Sequence, residues 1–314
     1  MRRIVKIVVP ANRGNGGART YTAGPMPPTS LAPKRVSRAA RTYLADLWSR
    51  REFAWYLAMG NLKARNASTT LGLFWWVLNP LLLGSVYWLV FGLIFDRGTL
   101  DVSSRALASG EELPFLAYLL SGMFPFYFTQ TSMTGGVNSI VSNARLMVNL
   151  SFPRLILPIA ALIESAVGFL TSVGVFFVVV GLVNGIWPGV WTLWLIPTIV
   201  IHIVFNFGLS TIVARIAVPF RDLNNLVPYF TRLWLYLSPI LYQASFLEGK
   251  GTFVETAFRL NPLFAILELY RYSFAGVETN LGSTLLIAMA WAVGLSAVGA
   301  SSFIKYEGKM ARYL

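Results

Sequence analysis

From residue 71 onward, apolar positions run in blocks too long for the core of a soluble domain. Six blocks, about 71–95, 114–137, 155–183, 191–214, 226–246 and 281–304, each carry the roughly 20 apolar residues that a helix needs to cross a bilayer. The third has the length of a tilted helix, and the fifth is interrupted by Arg232. Ahead of the first block the pattern changes. In YLADLWSRREFAWYLAMGNLKARN, Leu44, Leu47, Trp48, Trp55, Ala58 and Leu62 fall on one helical face, whereas Arg50, Glu52, Tyr56 and Lys63 lie elsewhere. That predicts an amphipathic helix over about 41–69, lying in the membrane interface. Arg51 breaks its apolar face, which calls for snorkelling or a ligand. Between the last two blocks, Asn261-Pro262 reads as a helix start. One or two short helices are expected there, at the outer surface before the last span. The first 40 residues, rich in Arg, Gly, Pro, Ser and Thr, read as a disordered basic tail.

Composition agrees with the pattern. Of 314 residues, 55% are hydrophobic and only 12% charged, about half the charged share of an ordinary soluble domain. Mean hydropathy is +0.60. The expected fold is an all-α integral membrane protein with six spans, in which 70–314 form one membrane domain. The net charge of +13 would point to nucleic acid in a soluble chain, but membrane proteins concentrate Lys and Arg on the cytoplasmic side. With the N-terminus inside, 20 basic residues lie on the inner side and 5 on the outer, Arg232 being left out. Both termini are therefore expected in the cytoplasm of a multi-pass protein of the cell (inner or plasma) membrane, with no nucleic-acid partner. The absence of Cys excludes disulfides, thiolate metal sites and Cys nucleophiles.

Three stretches carry a resemblance. LKARNASTTLGLFWWVLNPLL (62–82) leads into the first span, VPFRDLNNLVPYFTRLWLYLSPILY (218–242) links the fourth and fifth, and NPLFAILELYR (261–271) precedes the last. In this order they resemble the permease of ABC-2 type polysaccharide exporters, which move O-antigen, teichoic acid and related lipid-linked glycans. The matching positions are Lys63, Arg65, Leu71, Gly72 and Trp75, then Arg221, Asp222, Pro228, Ser238, Pro239 and Tyr242, then Asn261, Pro262 and Arg271. The resemblance covers about residues 44–314. Asn66 departs from it, since members often carry Tyr after the LKxR arginine.

The resemblance implies a transmembrane permease subunit, not an enzyme, of an ATP-driven exporter that moves a lipid-linked polysaccharide outward. It implies a homodimer with two copies of a cytoplasmic ATPase, and a polyprenyl-pyrophosphate-linked glycan as substrate. ATP and Mg belong to the ATPase and no cofactor to this chain. No G-x-x-x-x-G-K-[ST] phosphate loop is present. An ABC-2 exporter of a drug or lipid is the second reading. A membrane-embedded glycosyltransferase or acyltransferase is the third; outer acids such as Asp96, Asp101, Glu111 and Glu112 are present, but no matching His or metal cluster accompanies them.

Roles for single residues follow. The loop SNARLMVNLSFPRL resembles the coupling helix that fits an ATPase cleft, which places Asn143, Arg145, Leu146, Asn149, Phe152 and Arg154 at that contact. Arg221 and Asp222 either dock the same motor or brace the turn between spans four and five. For the pathway, two polar arcs stand out: Tyr127, Gln130, Thr131, Thr134 and Asn138 in span two, and Asn225, Tyr229, Arg232, Tyr236 and Gln243 in span five. Unpaired polar groups are costly in hydrocarbon, so both arcs should face a pore or another helix. Aromatic rings and hydrogen-bonding groups suit sugars. Arg50, Arg51, Lys63 and Arg65 sit at the inner headgroup level, where guanidinium groups suit a lipid pyrophosphate. Glu164 and His202 are expected in interhelical hydrogen bonds.

Overall fold

The computed structural model describes residues 40–66, 71–90, 113–242, 251, 256, 258 and 260–310. The expected tail, apart from Ala40, and Gln243 lie outside them. The described residues form an all-helical bundle: α1 (Ala40–Ser49), α2 (Arg51–Asn66), α3 (Trp75–Tyr87), α4 (Phe115–Ser142), α5 (Ala144–Asn149), α6 (Ile156–Asn184), α7 (Leu195–Ala217), α8 (Leu223–Leu237), α9 (Pro262–Ala275) and α10 (Leu281–Met310). Short 3-10 turns precede α3 and α7. Three segments among the described residues are long and apolar enough to cross a membrane: Ile156–Asn184, Val190–Ala217 and Leu281–Met310.

Helix ends follow local chemistry. α6 stops at Gly185, whose φ of 71° is left-handed. At the start of α9 the Asn261 side chain accepts from the Leu263 N–H and Pro262 occupies the first turn, as the sequence predicts. The fifth block behaves differently. It was expected to run through 246, but α8 ends at Leu237, because Ser238 is extended ahead of Pro239. A residue before proline is pushed out of the helical region. The 15 residues of α8 span about 22 Å, short of the hydrocarbon thickness.

The interfacial segment also departs from expectation. It is two helices, broken at Arg50. Trp48 and Trp55 are exposed, and the buried face is Ala54, Ala58 and Leu62, which repeats every four residues. Small side chains let α2 lie close on α6, and those two helices pack together.

Packing is centred on α4, which contacts α6, α7, α9, α3 and α8. α10 packs most extensively on α7. There the small residues of AVGLSAVGASS allow close approach. A Cβ on Gly208 would stand 2.4 Å from the Leu295 carbonyl carbon, and one on Gly299 2.3 Å from Thr211 Oγ1. Ser296 Oγ donates to the Val204 carbonyl at 2.5 Å across the same contact. Such crossings replace the hydrophobic effect, which does not drive helices together in lipid. The rim of the bundle stays apolar, with Leu182, Val190, Leu193, Ile196 and Leu286 exposed. α9 is packed into the bundle, with Leu263, Ile266, Leu267, Tyr270 and Phe274 fully buried.

Candidate functional site

Two polar regions interrupt this apolar bundle. The first joins the N-terminal end of α4 to α9 and to the chain just beyond α8. Arg271 is fully buried. Its guanidinium meets Glu268 Oε1 at 2.8 Å, donates to the Pro239 carbonyl, and lies 4.0 Å from the centre of the Tyr118 ring. The Tyr118 hydroxyl reaches the Pro239 and Tyr242 carbonyls at 3.1 and 2.7 Å. Asn261 Nδ2 donates to the Leu237 carbonyl and to Ser238 Oγ, while its Oδ1 accepts from Trp234 Nε1. The break at Ser238-Pro239 frees carbonyls that no helix can use, and Arg271, Tyr118 and Asn261 take them up. Ser238, Pro239, Tyr242, Asn261 and Arg271, recognised as separate motif positions in the sequence, are thus one structural knot.

The second region is an open cavity of about 780 Å³ lined by α2, α3, α4 and α6. Tyr127, Gln130, Thr131, Thr134 and Asn138, the expected arc of span two, all line it. Rings come from Trp75, Phe124, Phe128 and Phe169. The two threonine hydroxyls of the arc spend their protons on α4 itself: Thr131 Oγ1 donates to the Tyr127 carbonyl at 2.9 Å and Thr134 Oγ1 to the Gln130 carbonyl at 2.9 Å. Asn138 Nδ2 likewise donates to the Thr134 carbonyl at 3.0 Å. Thr131 and Thr134 therefore turn oxygen lone pairs to the cavity, set among aromatic faces and beside the Tyr127 hydroxyl and the Gln130 and Asn138 amides, which also carry donors. Such a wall suits ligands that both donate and accept, above all hydroxyl groups.

Glu164 lies in the opposite wall, on α6. Asn61 Nδ2 of α2 donates to its Oε1 at 2.8 Å, and Arg65 stands 3.9 Å from Oε2. The expected interhelical role of Glu164 is what the geometry provides. The same holds for His202, whose ring nitrogens meet Thr129 Oγ1 at 2.8 Å and the Tyr270 hydroxyl at 3.1 Å. It ties α7 to α4 and α9 within a cage that includes Phe128 and Phe169.

The other expected site residues fall in three places. Asn225, Tyr229, Arg232 and Tyr236 share the exposed face of α8, opposite the buried Val227, Thr231 and Leu235. None of them lines the cavity. Tyr236 meets the Tyr87 hydroxyl of α3 at 3.2 Å. Of Arg50, Arg51, Lys63 and Arg65, only Arg65 lines the cavity. Arg50 and Lys63 are exposed, and Arg51 folds back onto Trp48, donating to its carbonyl at 3.3 Å.

At the opposite end of α4, Asn143 donates to the Ser139 carbonyl at 2.9 Å and lines the cavity mouth. Arg145 is exposed and Leu146 half-buried. The side chain of Asn149 lies outside the described residues. The Phe152 ring sits 5.3 Å from Phe53 of α2. Arg154 holds α10, its backbone N–H donating to Glu307 Oε1 at 2.8 Å and its guanidinium to the Glu307 carbonyl at 2.7 Å. Nearby, burial and the Glu307 carboxylate push the Tyr43 hydroxyl above its ordinary range. Arg221 and Asp222 are exposed in the turn between α7 and α8.

The sequence reading missed the far wall of the cavity. Leu157, Ala161, Glu164, Ser165, Gly168 and Ser172 of α6 all face it. Their spacing of three and four is a stripe of small and polar residues in an otherwise apolar helix, which was readable. Asn61 and Asn79, also in the lining, carry no such signal.

Comparisons with known proteins agree with this architecture. A family model described as ABC-2 type transporter matches residues 52–275. Two proteins from Klebsiella pneumoniae, both described as O-antigen export system permease protein RfbA, are 28% and 27% identical over 256 residues. Each alignment covers 81% of this chain and 92% of the relative. A protein of the same description from Myxococcus xanthus is 29% identical over 230 residues, 73% of this chain and 82% of the relative. The matched region runs from α2 to the end of α9 and so contains both the cavity and the knot, and the chain belongs to the ABC-2 type transporter family as a membrane-embedded transporter subunit, not an enzyme.

Proposed function

We propose that the chain is the permease of an ATP-driven exporter that carries a lipid-linked polysaccharide from the cytoplasmic to the outer side of the membrane. The observation that carries this reading is the wall of the cavity, where lone-pair oxygens of Thr131, Thr134 and Asn138 stand beside Tyr127 and Trp75. Sugar hydroxyls donate to such oxygens, and the C–H faces of sugar rings settle on aromatic faces. Many weak contacts of this kind let a polymer slide. An exporter of an apolar drug or lipid, the alternative, has little use for this polar wall.

In this reading two copies of the chain and two copies of an ATPase make the working unit, with ATP and Mg bound by the ATPase. The chain crosses the membrane six times, through the regions of α3, α4, α6, α7, α8 and α10, with both termini in the cytoplasm. The exposed arc of Tyr229, Arg232 and Tyr236 on α8 faces the second copy or the pore between the copies. The segment 143–154 meets the ATPase, and Arg221 and Asp222 provide a second contact. Phe152 against Phe53 then passes ATPase movement to α2. Arg65 and the neighbouring Arg50, Arg51 and Lys63 receive the lipid pyrophosphate at the inner headgroup level.

Depleting the protein tests the class. Lipid-linked glycan accumulates on the inner side while surface glycan falls. Normal surface glycan with no accumulation would sink the proposal.

A further inference from the structure

Glu164 is an expensive residue where it stands. It lies within Ile156–Asn184, the most apolar of the candidate spans among the described residues, and is buried. A carboxylate there costs free energy that a glutamine would not, yet a glutamine of the same shape would still accept the bond from Asn61. The structural tie between α2 and α6 therefore does not explain the charge. The charge has one partner of opposite sign in the cavity wall, Arg65. That pair is loose. Its atoms are 3.9 Å apart, and the Arg65 side chain is 65% exposed against 9% for Glu164. Arg65 thus sits at the mouth, between a carboxylate inside and the headgroup layer outside.

We infer that Glu164 is a latch that holds α2 over the cavity through Asn61 and Arg65, and that a diphosphate group at the inner surface releases it by taking Arg65. This rests on reading Arg65 as a headgroup contact. The physical case is one of competition. A diphosphate offers more charge and more acceptor oxygens than one carboxylate, and it engages a guanidinium bidentately. Once Arg65 turns outward, a single hydrogen bond from Asn61 remains on Glu164. α2 is held otherwise by its small-residue face and by Phe53 against Phe152, a contact that ATPase movement can shift. The latch would thus make opening conditional on both substrate and motor. It would also leave a negative charge inside, which keeps the diphosphate at the mouth and admits the uncharged, hydroxyl-bearing part.

The natural chain has no Cys, so spin labels are placed cleanly. Gly60 on α2 has open space at its Cβ, and Leu170 on α6 is exposed. The pair Gly60→Cys and Leu170→Cys is measured in the assembled complex in lipid nanodiscs. Adding a polyprenyl diphosphate lipid lengthens the label distance by about 5 Å, the scale of a one-turn helix slip. Glu164→Gln shows the long distance without any diphosphate, as does Arg65→Gln, and neither lengthens further. Inorganic diphosphate is the second arm. A response to it as large as to the lipid assigns the key to phosphate chemistry alone, and a response to the lipid only assigns it to the membrane-borne form; both support the latch. A Glu164→Gln distance equal to that of the natural residue overturns it, since a purely structural tie survives that exchange. So does a natural chain that keeps the short distance with the diphosphate lipid present. The two readings fail separately. Depletion without glycan accumulation removes the export assignment and leaves the distance result standing; accumulation with an unmoved Glu164→Gln removes only the latch.

Discussion

The knot and the cavity are both polar interruptions in a greasy bundle, and both border α4. They differ in what their polar groups meet. In the knot, Arg271, Glu268, Tyr118 and Asn261 meet other protein groups, and Arg271 is wholly buried. In the cavity, Thr131 and Thr134 satisfy their donors on their own helix, Asn138 places one amide N–H there, and their acceptors face open space. Polarity that meets protein groups spends its hydrogen-bonding capacity on the fold, Arg271 keeping only its Nε without a hydrogen-bond partner. Polarity that is locally satisfied costs little to keep in a membrane and stays available to a ligand. A motif residue is therefore not by that fact a functional contact, and the strongest motif positions here hold the bundle together.

This contrast can be broken at either end. Arg271→Met should have the largest effect, because it strands the Glu268 carboxyl and the Pro239 carbonyl in an apolar core. A loss of about 3–5 kcal/mol is expected, read as collapse of thermal stability in detergent and of membrane abundance. An Arg271→Met chain that is stable but inactive would move Arg271 from the knot to the pathway. Asn261→Ala removes the cap of α9 together with the Trp234 and Ser238 contacts. It should cost about 2 kcal/mol, the upper end for a lost cap, and lower the melting temperature with export reduced only in proportion to folded protein. Gln130→Leu, in the cavity, should do the reverse. Stability shifts by no more than about 0.5 kcal/mol, while export per folded molecule falls about fivefold, the equivalent of about 1 kcal/mol of lost substrate contact. Equal losses in stability and export for this variant would erase the distinction between the two regions.

Several features were legible in the chain. The span-two arc was readable because a helix repeats every 3.6 residues whatever surrounds it, so Tyr127, Gln130, Thr131, Thr134 and Asn138 had to share a face. The start of α9 at Asn261-Pro262 was readable for an equally local reason. The interfacial segment reads as one helix in the sequence, whereas the chain breaks at Arg50 into two. Of the face read there, Ala58 and Leu62 pack inward together with Ala54, while Trp48 and Trp55 are exposed. The fifth helix stops earlier than the apolar run suggests, at Ser238-Pro239, where a local rule was available but the run beyond it outweighed it.

By itself the sequence determined that the chain is helical, apolar and built of spanning segments, because block length and helical period are properties of neighbours. It determined the caps, and the polar arcs as arcs. Only the tertiary structure decided what each polar group faces. Glu164 meets Asn61 from 103 positions away, and Tyr118 meets Pro239 from 121. Hydrogen-bond saturation and enclosed volume are relations between such distant pairs. No periodicity along the chain encodes whether an arc closes on a neighbouring helix or opens on a cavity.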